Sequence, residues 1–239
     1  DKYMTPKPRY RVLNNALKDS RSQYFNIHIK GVDELSLFHN SVMLEACNTS
    51  FQTHLQINPD EFVGKYNWAQ AISGPVLAVC TNSPLLFGRE LWAETRIAVF
   101  TQSIDTRTNS LVFDEKQSRV SFGASWEKGS VTDIFRDHIS RFRSLLTSNE
   151  QEDSLEILSK GEIPKLKALQ LHNGTVYKWN RVCYGVGGGK PHLRIECRYI
   201  PSGPTLKDEI ANMVFWVGLM LGQTKEYKDI AWTDKTNKT

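Results

Sequence analysis

Residues 192–200 (His192-Leu193-Arg194-Ile195-Glu196-Cys197-Arg198-Tyr199-Ile200) alternate polar and apolar side chains without a break. A period of two predicts a β-strand with two unlike faces. Leu193, Ile195, Cys197 and Tyr199 then face a core. His192, Arg194, Glu196 and Arg198 line the opposite face, roughly 7 Å apart along the strand. Residues 48–57 repeat the pattern, with Phe51, Leu55 and Ile57 on one side and Ser50, Gln52, His54 and Gln56 on the other. Residues 24–30 alternate as well, and Gly31-Val32-Asp33 reads as a turn.

Helical periodicity separates these strands. It is predicted over 8–19 and 131–146, and over 60–80 with a bend at Ser73-Gly74-Pro75, where proline removes a backbone donor. Asn82-Ser83-Pro84 stops that helix, and 92–102 is extended or partly helical. Residues 148–153 form a polar, acidic loop, and 173–189 are a turn-rich block. Thr205-x-x-Asp208 opens a last helix to Leu221 with a capping-box pattern. Antiparallel-style strands between long helices point to an α+β fold rather than a doubly wound sheet. A single domain over 1–239 is the simplest account.

Composition narrows the classes. With 40% hydrophobic and 23% charged residues, the chain is neither disordered, collagenous nor a disulfide miniprotein. Its longest apolar run, 213–222, is about half the ~20 residues of a membrane span. The net charge of +4 is spread along the length, without the dense basic stripe of a nucleic-acid binder. Cys47, Cys80, Cys183 and Cys197 form no CxxC or zinc spacing and read as reduced thiols of a cytoplasmic protein. The sequons at Asn48, Asn173 and Asn237 read as chance. The chain opens on Asp1, which reads as a cut end.

Several residues carry chemistry. A carboxylate between guanidiniums suits a metal–nucleotide site: Glu196 holds Mg²⁺, and Arg194 and Arg198 neutralise phosphate oxygens. The plainer alternative is a solvated strand face with surface ion pairs worth ~0–1 kcal/mol each, and periodicity alone favours it. His54 or Gln52 would stand beside Glu196 if the two strands share a sheet. Gly185-Val186-Gly187-Gly188-Gly189-Lys190 fails the phosphate-loop pattern, having Tyr184 and Pro191 where glycine and a hydroxyl are needed, and reads as a flexible turn. Arg96 suits capture of a substrate carboxylate, although a salt bridge is the commoner use. Trp179 and Tyr184 are candidates to stack on an adenine ring. No serine triad or nucleophilic cysteine motif stands out.

Taken in order, these pieces resemble the glutamate–cysteine ligase family and the wider carboxylate–amine ligases. Met4-Thr5-Pro6-Lys7-Pro8-Arg9-Tyr10 is similar to the family's Met-Pro-x-x-Arg-Tyr segment, and 42–57 to its strand of metal-ligand positions. Asn82-Ser83-Pro84, Gly88-Arg89 and Arg96 follow the family's middle pattern. Gly174-Thr175 through Arg181, then Glu196-Cys197-Arg198, follow its late one. The resemblance implies a mainly antiparallel sheet flanked by helices, the glutamine-synthetase-like cradle for ATP and Mg²⁺. It implies that ATP phosphorylates a small carboxylate substrate and an amine attacks the acyl phosphate. Glu196, Gln52 and His54 are the implied metal ligands. Arg198 and Arg96 are the implied catalytic cations, and Arg181, Arg194 and Arg89 the substrate- or nucleotide-binding ones. The family's acidic first strands have no counterpart after Asp1, so 1–239 is expected to be the C-terminal portion of a catalytic domain. A catalytically silent ligand-binding or regulatory domain on the same fold is the alternative, and a homo-oligomer is compatible with either.

Overall fold

The computed structural model describes residues 5–21, 24–105, 107, 117–149 and 152–228. Asp1, Met4, Glu150, Gln151 and Asn237 lie outside the described residues. The first half runs α1 (Pro8–Arg21), β1 (Phe25–Lys30), β2 (Glu34–His39), α2 (Met43–Ala46), β3 (Thr53–Ile57), α3 (Phe62–Ala71) and α4 (Ser73–Cys80). A short hairpin, β4 (Leu85–Leu86) and β5 (Arg89–Glu90), precedes α5 (Thr95–Ser103). Then come β6 (Val120–Ser121), α6 (Val131–Arg141), α7 (Ser154–Ser159) and α8 (Lys167–Asn173). The chain continues with β7 (Tyr177–Lys178), β8 (Asn180–Gly187), β9 (Lys190–Cys197), α9 (Leu206–Leu221) and α10 (Lys225–Lys228).

The fold is α+β. Its central feature is an antiparallel sheet in the order β3-β9-β8. The pairs β1–β2 and β4–β5 are also antiparallel, and β6–β7 is parallel. The alternation of 192–200 becomes β9, the middle strand, and Ile195 on its apolar face is fully buried. Val182 of β8 lies opposite it, and both join a core with Phe62, Tyr66 and Ala69 of α3 and Trp216 and Met220 of α9. Lys65 and Trp68 of α3 donate to the carbonyls of Met220 and Leu219, each at 2.9 Å. Asn180 ties β8 to α3 and α4. Its amide donates to Ser73 Oγ at 2.9 Å, and its carbonyl accepts from the Tyr66 hydroxyl at 2.8 Å. These bonds engage the Asn180 amide nitrogen and backbone carbonyl in the core, while its side-chain oxygen has no hydrogen-bond partner.

Several sequence boundaries move. The helix expected over 60–80 is divided at Ile72 into α3 and α4, beside Ser73-Gly74-Pro75. The strand expected over 48–57 is only β3, and before it Ser50 makes an isolated antiparallel bridge to Pro201. The helix of 131–146 stops at Arg141: Phe142 is extended, its ring under the Arg119 and Lys178 cations. Residues 92–102 resolve into a loop and α5, with Thr95 Oγ1 donating to the Trp92 carbonyl at 2.9 Å. At α9 the cap forms as expected, Thr205 Oγ1 accepting from the Asp208 amide at 3.4 Å.

The larger correction concerns 173–189. Gly187 pairs with Lys190, so only Gly188 and Gly189 form the turn, and 180–187 is strand. Both turn glycines have positive φ, 56° and 73°. A two-residue loop with that conformation matches the right-handed twist of the strands it joins. It also fixes the register that places Arg181 opposite Glu196. An alanine at 189 is expected to cost about 1–2 kcal/mol, the penalty of a side chain in the left-handed region. Asn at 188, which tolerates that region, is expected to cost less. Urea unfolding midpoints of the two variants check the difference.

Candidate functional site

The register of the central sheet gathers polar side chains into rows. His54, Glu196 and Arg181 stand opposite one another across three strands, and Gln56, Arg194 and Cys183 form the next row. His192 faces Gly185, where a Cβ would lie 2.6 Å from the imidazole ring. Glycine at 185 therefore makes room for the His192 ring.

Glu196 is at the centre and only 1% exposed. The centre of the row is therefore interior rather than a solvated ion pair, while His54 at its edge is exposed. Arg181 donates from Nε to Glu196 Oε2 at 2.7 Å, and its Nη2 lies equally close. The Cys183 thiol donates to the same oxygen at 3.4 Å. The other oxygen, Oε1, faces Arg198 Nε at 3.5 Å and His54 Nε2 at 3.7 Å.

Burial alone would raise the Glu196 pKa, but Arg181 and Arg198 outweigh it and hold the group below its ordinary value, ionised. Burial lowers His54, and Arg194, Arg181 and Arg198 add to the effect against the pull of Glu196, so its ring is neutral at pH 7. Burial pushes the Cys183 thiol up to about 11, so it is neither a thiolate ligand nor a nucleophile there.

Arg181 is hydrogen-bonded to Glu196 and Arg198 is ion-paired with it at 3.5 Å, whereas Arg194 does not pair with it. Arg194 Nε and Arg198 Nε and Nη1 are buried and have no hydrogen-bond partner. The Arg198 guanidinium lies over the rings of Tyr177 and Phe100, at 5.6 and 5.9 Å. Arg194, Arg181, Cys183 and His54 line a cavity of about 180 Å³. Beyond its Phe135, Leu169 and Tyr184 walls lies an apolar groove of about 950 Å³. On the other side, Gly174 also borders a cavity of about 760 Å³ walled by Arg9, Glu45 and Tyr177.

The remaining expected residues lie elsewhere. Gln52 is exposed, its amide on Ser50 Oγ at 3.4 Å, and it makes no hydrogen bond to Glu196. Arg89 is exposed on the β4–β5 hairpin. Arg96 is buried in an ion pair with Glu94 at 3.0 Å and donates to the Tyr199 carbonyl at 3.2 Å. It lines a separate cavity of about 260 Å³ with Asn82, Ser83 and Ser202. Trp179 is packed against Phe100 and Phe122 at 2% exposure, which removes it as a base-stacking ring. Tyr184 stays at the groove, its hydroxyl on the Pro164 carbonyl. Sequence reasoning missed two contributors. Cys183 was detectable from its spacing to Arg181 had 180–187 been read as strand, whereas nothing in the sequence singles out Glu45.

A divalent cation with oxygen ligands fits here through Glu196 Oε1, which makes no hydrogen bond to a guanidinium, with His54 as a neutral neighbour. Mg²⁺ typically takes one or two carboxylates and completes its shell with phosphate oxygens and water. The unpaired arginine nitrogens suit those phosphate oxygens.

Among the described residues no helix is long and apolar enough to cross a membrane. No curated protein and no solved structure matches the chain. A family model, Glutamate-cysteine ligase family 2 (GCS2), matches residues 1–238. With the match spanning nearly its whole length, the chain belongs to glutamate–cysteine ligase family 2.

Proposed function

We propose that this chain carries the phosphate- and carboxylate-handling face of an ATP- and Mg²⁺-dependent carboxylate–amine ligase. In this reading ATP phosphorylates a small carboxylate, and an amine then displaces phosphate from the acyl phosphate to form an amide. The observation that carries the reading is the set of buried nitrogens on Arg194 and Arg198 that lack hydrogen-bond partners, on the strand and strand end that carry one ionised carboxylate. Leaving such nitrogens without partners costs free energy, and a site for anionic oxygens gives them a use.

Phosphoryl transfer requires placement and charge stabilisation rather than a side-chain nucleophile. Arg198 and Arg194 would hold the oxygens on which charge accumulates, in a water-poor setting where such contacts are strongest. Arg181, already paired, would position Glu196. Mg²⁺ at Glu196 Oε1 would supply neutralisation of the phosphate oxygens. Tyr184 and its groove offer an apolar surface for the adenine. Arg96, with Nε buried and unpaired, is the cation for a substrate carboxylate in its own cavity.

The test is ATP cleavage by the full chain with Mg²⁺ across a panel of carboxylates and amines, including L-glutamate and L-cysteine. Cleavage that requires both organic substrates supports the ligase. Nucleotide binding without turnover by any pair would favour the silent domain instead. Glu196→Gln and Arg198→Ala are each expected to lower turnover about 100-fold, with unchanged circular dichroism. Glu196→Ala strands Arg181 without its carboxylate and is expected to cost about 3–5 kcal/mol in urea unfolding.

The pH dependence follows from the depressed Glu196 pKa. Its stabilisation is full above the ordinary value of 4.5 and is lost as pH falls through the lower folded value. Glu196→Gln should therefore flatten the acid limb of the stability profile. An unchanged limb would remove Glu196 as an ionised partner.

A further inference from the structure

Glu45 is the only carboxylate among the described residues lining the 760 Å³ cavity beside the arginine face. It sits on α2 and is partly buried, and among the described residues no hydrogen bond to its carboxylate is seen. Arg198 stands between two acids: its charge acts on Glu45 on one side and on Glu196 on the other. Tyr177 contributes a ring to the cavity wall, and Arg9 and Tyr10 face it from α1. The cavity shares Gly174, at the end of α8, with the smaller one containing Arg181, Arg194 and His54, so the two spaces are neighbours.

We propose that Glu45 is the general base that takes the proton from the amine substrate in this cavity. The inference rests on the ligase reading above. An amine enters as an ammonium ion and has no lone pair to attack with. One N–H bond breaks and its proton goes to a Glu45 oxygen. The freed lone pair forms the C–N bond at the acyl-phosphate carbon, and the C–O bond to phosphate breaks with its electron pair leaving on phosphate. The second ammonium proton departs to solvent with the phosphate, leaving a neutral amide.

The environment suits that task. Burial lifts Glu45 to about 7, against the opposing charge of Arg198. Tyr177 is pushed up to about 12, mainly by burial, and stays a neutral phenol. Arg9 acts on Tyr177 from α1, and Cys47 completes the near wall. A base titrating near the working pH is both available and strong enough to accept a proton. Glu45 is deprotonated, and therefore competent, on the alkaline side of about 7.

The experiment compares two acceptors in the full chain, with ATP, Mg²⁺ and L-glutamate. L-Cysteine carries a protonated amine at neutral pH, whereas hydroxylamine is already largely unprotonated. Glu45→Gln is expected to slow amide formation with cysteine about 100-fold, yet leave hydroxamate formation within about threefold, the protein otherwise folded. The wild-type cysteine rate should rise with pH through about 7, and that limb should vanish in Glu45→Gln. Carboxyl ¹³C NMR on glutamate-labelled protein, with no substrate present, should show one carboxyl titrating near 7 that the variant lacks. Equal loss with both acceptors, or no loss, would overturn the base assignment while leaving the ligase intact. Absence of any wild-type hydroxamate or amide would remove the ligase reading with L-glutamate, and the Glu45 assignment with it.

Discussion

The Glu196–Arg181 pair is the contact on which the site's geometry depends. Two opposite charges lie 2.7 Å apart under a surface that leaves Glu196 almost wholly out of water. Such a pair survives burial only when its geometry is good, because desolvation of two ions rivals their attraction. Here the geometry is set by strand register, since both residues face each other across β8 and β9. A slip of one residue would turn every side chain of β8 to the opposite face and leave Glu196 facing Asn180 or Val182 positions. The Gly188–Gly189 turn therefore has a consequence several residues away from itself.

The two faces of the central sheet divide the work. The apolar one is packed against α3 and α9, and Asn180 fixes α3 and α4 to β8 by hydrogen bonds to Tyr66 and Ser73 rather than by packing alone. A rigid backing of this kind lets the other face hold groups whose mutual energetics are unfavourable. Arg181 and Arg198 share a single carboxylate, and burial, then the like charge of Arg181, lowers the pKa of Arg198. The cost of confining that excess positive charge falls on the fold. An anionic ligand would relieve it.

The strand of 192–200 was legible because alternation survives burial: period two reports which side a residue takes. It does not report what covers each side, and so Glu196 read as solvated when it is buried. The glycines of 185–189 misled in the opposite direction. Glycine weakens both helix and strand, so a run of it reads as turn, and the strand partner carrying Arg181 and Cys183 was hidden inside that reading. Arg96 and Glu94 are only two residues apart, but their pairing depends on a helix start at Thr95 that the sequence leaves ambiguous. Glu45 had no local pattern at all. Its environment is made by α1, β7 and the residue after β9, which are brought together only by the tertiary fold.

Arg198 links these observations through charge. It lowers the pKa of both carboxylates beside it, but Glu196 has a second guanidinium in contact and Glu45 does not. The same residue type therefore ends in two states at pH 7, with Glu196 ionised and Glu45 near half-protonated. Pairs of like groups driven apart by their surroundings are how one fold divides electrostatic and acid–base roles. In the proposed ligase the ionised group stays beside the cation and phosphate, while the labile one meets the amine. Exchanging the two roles would require a second arginine near Glu45 and the removal of Arg181 from Glu196. The polar face is thus asymmetric along the axis that the two substrates must approach, and that asymmetry comes from a single cross-strand contact.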